Sequence, residues 1–401
     1  MSRTELICTS CNSSFNLLEY YHCPYCKGIL EVRYDLDRVT ASTGDAVKQE
    51  LQPFPFSPGV FMGEGNASLI RAKCLEKKLG VARIDLKGEF MNPSGSFKDR
   101  PVAMGVKAGI HFGHKRLIVA SSGNGAAAVS AFAAKAGMEA VVLVPESTPQ
   151  EKVSQSMFLN ANVIKIKGPY SNSFTLAKIL AETESLFNVT TTFINPYTVE
   201  GDKGVAFELH DQLNGYWPDQ IYVPIGAGPL LVGTRKGFME MASLWEREYT
   251  PRMIGVQARG CSTVAEAYER KEDQVQEVVV PKTIAGGIGD GLQGYAKDGT
   301  HTLSHIRKSG GNAMAITDAG ILEAQHELAS LEGLFVEPSA AAALAGLKHN
   351  VELGKVRAED HIVLLLTGHG LKDMASAEMK KDIPLVGEHD IKRIMKVIKG
   401  S

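Results

Sequence analysis

From about residue 60 onward, short β-branched runs alternate with longer amphipathic stretches, the pattern of a chain that folds parallel sheet between layers of helix. Runs at 82–86, 116–120, 140–144, 162–166, 220–224, 253–257 and 362–366 predict strands. Apolar positions at helical spacing predict helices over 98–112, 126–136, 173–186, 230–242, 318–331 and 339–347. The stretch 126–136 is rich in alanine, which predicts tight packing against a sheet. Before residue 60 the pattern changes. Residues 1–35 have the short strands and turns of a small ribbon, and a polar approach segment carrying Pro53, Pro55 and Pro58 follows. No internal repeat is visible, and the chain closes on a basic last turn at 391–399.

At 401 residues the chain exceeds one ordinary core, so two domains are expected. A hydrophobic content of 44% and a charged content of 22% describe a soluble globular protein. The formal net charge of −2 gives no general attraction to nucleic acid or to an anionic membrane. No apolar run approaches a membrane span, and the N-terminus lacks an apolar signal core. A cytoplasmic enzyme is expected.

Four of the six cysteines fall in the first 26 residues, as Cys8-x-x-Cys11 and Cys23-x-x-Cys26. Two such pairs can each contribute two sulfurs to a tetrahedral thiolate zinc site. Four thiolates leave no open position for catalysis, so the role predicted is structural. A disulfide or a vestigial cluster is the alternative. Cys74 and Cys261 stand apart and are expected to pack in the interior.

Pro93-Ser94-Gly95-Ser96-Phe97-Lys98-Asp99-Arg100 places a lysine just inside a predicted helix, behind a turn that follows the strand 82–86. A desolvated lysine amine aimed at a bound aldehyde forms a Schiff base. The small residues Ser94, Gly95 and Ser96 let a planar cofactor approach the backbone. A surface lysine capping a turn is the plainer reading. Three further loops sit between strand and helix. Ser121-Ser122-Gly123-Asn124-Gly125 opens the alanine-rich helix, where exposed amides can hold a carboxylate. Gly226-Ala227-Gly228-Pro229-Leu230 has the glycines and helix start of a phosphate cradle. Thr367-Gly368-His369-Gly370-Leu371-Lys372-Asp373 follows the strand 362–366, and His369 there is expected to be a turn residue.

Taken together, residues 92–100 and these loops closely resemble the signature segments of the threonine synthase family. Those are pyridoxal-phosphate (PLP) enzymes of fold type II, like tryptophan synthase β and threonine dehydratase. Met62-Gly63-Glu64-Gly65-Asn66 and Glu337-Pro338-Ser339-Ala340-Ala341 extend the resemblance over roughly residues 60–375. It implies two open, twisted, mostly parallel sheets with helices on both faces. A small domain at 95–190 would be inserted into a large one, 36–94 and 191–401, with the zinc-ribbon-like segment 1–35 in front. Lys98 would be catalytic and bind the cofactor aldehyde. Asn124 would meet the phenolic oxygen, Gly226, Ala227, Gly228, Pro229 and Leu230 the cofactor phosphate, and Thr367 the pyridine nitrogen. Ser121, Ser122 and Gly123 would hold the substrate carboxylate. Some members carry a similar N-terminal cysteine cluster, and the family suggests homodimers.

Several positions depart from the family. Its substrate, O-phosphohomoserine, needs a second phosphate site, supplied elsewhere by a Ser-x-Asn-Pro-x-Arg stretch. Asn195 survives here, but Phe193 and Thr198 replace the serine and arginine. An arginine lost from such a site removes a bidentate, charge-assisted clamp. Gly125 stands where the family has threonine, Ala227, Pro229 and Leu230 alter the phosphate loop, and Pro229 has no N–H to donate. Gly286-Gly287-Ile288-Gly289-Asp290-Gly291-Leu292 looks nearer a segment of threonine and serine dehydratases. Lys87, Lys203 and Arg235 are candidates to compensate. The expected function is threonine synthase, forming threonine and phosphate from O-phosphohomoserine and water. The alternative is a related enzyme performing β-elimination or β-replacement on a substrate without that phosphate. A non-enzymatic module, its ribbon contacting nucleic acid or protein, is disfavoured by the absence of a basic stripe.

Overall fold

The computed structural model describes residues 4–36, 56, 60–377, 383–388 and 390–398; the proline-rich approach segment, with Pro53, Pro55 and Pro58, lies outside them. Three sheets organise these residues. Strands β1 (Thr4–Cys8), β2 (Ser14–Phe15) and β3 (Leu30–Tyr34) form a small antiparallel ribbon in the order β2-β1-β3. Next in sequence come β4 (Leu69–Arg71), β5 (Arg83–Lys87), β6 (Arg116–Ala120), β7 (Glu139–Pro145), β8 (Asn162–Ile166) and β9 (Phe187–Asn188). They are followed by β10 (Gln220–Pro224), β11 (Arg252–Ala258), β12 (Ala313–Ile316) and β13 (His361–Leu365). One six-stranded sheet runs β12-β11-β10-β13-β5-β4, parallel except for its edge strand β4. A four-stranded sheet, β8-β7-β6-β9, is parallel throughout.

Helices α1 (Lys73–Leu79), α2 (Asp99–His111), α3 (Asn124–Ala136), α4 (Gln150–Phe158), α5 (Tyr170–Thr183), α6 (Pro196–Asp202) and α7 (Gly204–Gln212) fill the first half. The rest are α8 (Pro229–Leu244), α9 (Thr263–Glu269), α10 (Ala296–Lys308), α11 (Asp318–Glu332), α12 (Pro338–Glu352) and α13 (Ile391–Ile398). All five residues of β10 are buried, as expected for a central parallel strand covered on both faces. The alanines of α3 let that helix lie close against β6 and β7, and Ala126 and Ala128 are wholly buried. Three strands escape the hydrophobic pattern because they are short: β4, β9 and β12 span three, two and four residues. Of the two isolated cysteines, Cys261 is buried as expected, whereas Cys74 is exposed on α1. No helix among the described residues is long and apolar enough to cross a membrane.

The ribbon docks against both sheet layers. Tyr21 accepts from the Asn188 amide at 2.9 Å on β9, and the Tyr197 hydroxyl donates to Leu18 at 2.6 Å. Tyr34 donates to the buried Glu200 of α6 at 2.7 Å, and His301 of α10 meets Glu31 at 2.8 Å. Ile29 packs with Phe193, Val199 and Val232 in a separate apolar cluster.

At the start of α2, Arg100 is buried and fully engaged. It donates to both oxygens of Glu89 at 2.6 and 2.8 Å and to both oxygens of Glu208 at 2.6 and 2.7 Å. Lys87, at the end of β5, shares Glu208 at 2.6 Å. Removing one partner of such a buried pair leaves a charge without compensation. Arg100→Ala is therefore expected to lower the unfolding free energy by about 3–5 kcal/mol, read by chemical denaturation. A loss below about 1 kcal/mol, the range of a surface pair, would contradict this account.

Candidate functional site

Four loops leave the C-terminal ends of parallel strands and face one cavity of about 600 Å³, the size of a small-molecule site. Open α/β sheets bind ligands at that edge. Lys98, residues 121–124, residues 226–230 and Thr367 all line it. Asn195 does not. It is wholly buried, its amide donates to the Asn188 carbonyl at 2.7 Å, and its carbonyl oxygen caps α6 by accepting from Tyr197 at 3.0 Å. The placement of Asn195 among substrate contacts is corrected by this helix-capping role.

Lys98 is the N-cap residue of α2, and its amine donates to the Thr191 hydroxyl at 2.7 Å. Burial holds that amine below the usual lysine range, with Asp202 and then Asp290 opposing the shift. Desolvation thus favours the neutral amine that an imine-forming or proton-abstracting lysine needs. Gly95, three residues earlier, has φ +87°, a conformation that suits glycine.

The loop between β6 and α3 presents unpaired amides. The N–H groups of Ser122, Asn124 and Gly125 donate to no protein group among the described residues, while Gly123 donates to the Ser121 hydroxyl at 3.4 Å. A Cβ at position 125 would lie 2.9 Å from the Ser121 Oγ, so the glycine there accommodates the serine hydroxyl. Between β10 and α8, the amides of Gly226, Ala227, Gly228 and Leu230 likewise donate to no protein group among the described residues. Gly228 caps α8 at φ 95°, and a Cβ on it would meet Thr302 at 2.4 Å. Free amides converging at a helix start suit a phosphate.

Asn124 donates its side-chain amide to both oxygens of Glu337, at 2.9 and 3.2 Å. Glu337 lines the cavity, and its carboxyl is pushed upward by burial. This orienting partner was visible in sequence only as a glutamate before the helix-starting Pro338. A Cβ on Gly368 would sit 2.0 Å from the Glu337 carboxylate, which gives Thr367-Gly368 its glycine. His369 keeps a turn role, accepting from the Leu371 amide at 3.1 Å. Thr191 was not anticipated either, because a run of three threonines after a two-residue strand carries no spacing signal.

The segment that departs from the family is turned inward. Phe193 packs with ribbon Ile29, and Thr198 donates to the Asn195 carbonyl at 2.8 Å. The compensating cations proposed from sequence are also elsewhere. Lys87 is held by Glu208, Gln212 and the Ala67 carbonyl, Lys203 by Glu200 and Glu240, and Arg235 lies 3.2 Å from His305. Among the described residues, the cations lining the cavity besides Lys98 are Lys152 and Lys372.

In the ribbon, Cys8 Sγ lies 3.4 Å from Cys26 Sγ, and Cys11 Sγ lies 3.7 Å from Cys23 Sγ. All four sulfurs fall within 4.8 Å of one another, and none is in a disulfide. A tetrahedral ion with Zn–S bonds of about 2.3 Å spaces its sulfurs about 3.8 Å apart, so the group fits zinc.

The chain matches the model of the pyridoxal-phosphate dependent enzyme family over residues 60–368. It is 34% identical to a threonine synthase of Methanocaldococcus jannaschii over 404 residues, 98% of each chain. It is also 34% identical to one of Methanosarcina acetivorans over 407 residues, 99% of each. Among solved structures, the processed form of threonine deaminase isoform 2 from Solanum lycopersicum shares the fold, with a TM-score of 0.66, 20% identity and 89% of each chain covered.

Beneath Lys98, Asp202 is wholly buried and neither carboxylate oxygen has a hydrogen-bond partner. Burial pushes its carboxyl from 3.8 up to about 8, with Lys98 and then Arg100 opposing the shift. Between those values the folded chain keeps a proton that the unfolded chain releases, so stability falls as pH rises through the window. Asp202→Asn removes that loss. Relative to the parent it should gain stability steadily from about pH 4 to about pH 8 and no further above, measured by denaturation at each pH. A constant difference would contradict the buried acid.

Proposed function

This chain belongs to the pyridoxal-phosphate-dependent enzymes, among the threonine synthases, and from that premise we propose that it converts O-phosphohomoserine and water to threonine and phosphate. The observation that carries the reading is the convergence of Lys98, the free amides of 226–230 and the Thr367 hydroxyl on one cavity. These groups fit PLP. Amides at 226, 227, 228 and 230 would hold its phosphate, Thr367 would meet its pyridine nitrogen, and Asn124 its phenolic oxygen. When bound, PLP supplies an electron sink for the pair left at the substrate's α-carbon.

The chain's own residues do the rest. The amides of residues 122–125, at the start of α3, orient the substrate carboxylate. Lys98 takes the α-proton as a neutral base; its desolvated position favours that state. Thr191 accepts from that amine at 2.7 Å and so helps to position it at the cavity. Water adds at Cβ after phosphate leaves Cγ. A hydroxyl at 367, unlike a carboxylate, does not hold the pyridine protonated, which suits elimination and replacement over transamination.

A second reading draws on a specific observation. Among the described residues no arginine lines the cavity, and the segment carrying Phe193 and Thr198 faces the interior. That arrangement favours a substrate without the γ-phosphate, handled by β-elimination or β-replacement. Release of inorganic phosphate from O-phosphohomoserine supports the first reading, and release of a 2-oxo acid from threonine or serine supports the second. Under either, Lys98→Ala should lose the visible absorption band of bound cofactor and lose activity by at least about a hundredfold.

The ribbon, in the same reading, holds one structural zinc ion, and the enzyme is cytoplasmic, as its composition suggests, and a homodimer, as the family resemblance implies. Elemental analysis should find one zinc per chain, and chelation should lower the melting temperature. Loss of free thiols at Cys8, Cys11, Cys23 and Cys26 without bound metal would favour a disulfide instead.

A further inference from the structure

Asp290 lines the cavity from the loop after the short turn Gly286–Ile288. Its Cβ lies 3.0 Å from where a Cβ on Gly226 would stand, so the carboxyl sits directly against the phosphate loop. Both of its protein hydrogen bonds fall on one oxygen: Oδ1 accepts from the Tyr295 hydroxyl and, at 3.0 Å, from the Leu292 amide. Oδ2 accepts from no protein group among the described residues and lies 3.7 Å from the same point on Gly226. An ionised carboxylate at this position would repel a phosphate dianion. A neutral one would instead donate to it, and the loop is one donor short because Pro229 carries no N–H.

We propose that Asp290 holds its cavity-facing oxygen as an O–H donor to the cofactor phosphate, replacing the amide that Pro229 removes from the loop. This rests on the cavity being the PLP site. Burial raises the Asp290 carboxyl, which favours the protonated form. The groups that face it are Lys98, Tyr170, Tyr295, Cys261 and Asp298. Of these, Lys98 favours ionisation and burial opposes it more strongly. The Asp298 carboxyl is itself pushed up to about 7, chiefly by burial, with Asp290 adding to the shift. Asp290 is thus a binding residue whose hydrogen bond depends on its proton.

The test measures affinity of the full chain for PLP and for pyridoxal, which lacks the phosphate, from about pH 6 to about pH 9. The parent is compared with Asp290→Asn, which keeps a donor without a titrating proton, and with Asp290→Ala, which keeps neither. Parent affinity for PLP should fall with rising pH relative to Asp290→Asn, by up to about tenfold per pH unit once the acid ionises. At about pH 6 Asp290→Ala should bind PLP about tenfold more weakly than the parent, with the parent and both variants alike toward pyridoxal. Parallel pH curves for parent and Asp290→Asn, or an equal effect with pyridoxal, overturns the inference. Failure of the parent to take up PLP at any pH would sink the cofactor assignment itself, a different result from either.

Discussion

Two carboxylates reach the Arg100 guanidinium from separate elements, Glu89 just after β5 and Glu208 on α7, and between them they accept four hydrogen bonds. Arg100 lies two residues beyond Lys98, so this clamp fixes the first turn of α2 relative to the six-stranded sheet. A planar guanidinium satisfied on several edges tolerates burial in a way that a point charge does not. The amine that must meet a cofactor is therefore positioned by a rigid neighbour, and its own hydrogen bond goes to Thr191. Close packing at α6 adds to this, since a Cβ on Gly201 would overlap the Arg100 carbonyl at 2.1 Å.

Around that anchor the site is assembled from loops at the same edge of parallel strands, and much of it was legible from residues alone. The strands 116–120, 162–166 and 220–224 coincide with β6, β8 and β10, because continuous β-branched runs bounded by turn residues leave little room for another reading. The glycine loops were legible for the same reason: glycine before a helix start announces exposed amides. Glu337, Thr191 and Asp202 were not. Each acts through a neighbour distant in sequence, and a single buried acid or hydroxyl leaves no periodic trace. Asn195 shows the opposite failure. Its local sequence resembles a substrate contact, yet the fold uses it to cap α6, where an Asn before Pro is favoured on helix chemistry alone.

Asp290 in the cavity wall and two acids buried behind the wall are kept by burial from ionising freely. Asp202, Asp290 and Asp298 are all raised by desolvation, and Lys98 opposes the shift at the first two. Such a cluster lets protons be held near the reacting carbons without free charge in an apolar space. It also explains how a chain with few cations lining its pocket can remain electrostatically balanced there.

Ile29 of the cysteine-bearing ribbon lies against Phe193, which stands in place of the serine that the family resemblance leads one to expect. The aromatic ring thus packs against both modules, against Ile29 in the ribbon and Val199 and Val232 behind it. Any descendant that discards the N-terminal module would uncover that ring, and any that restores the serine would hollow out the module's seat. Ribbon and ring therefore support one another, and a change at either would be felt in the packing of the other.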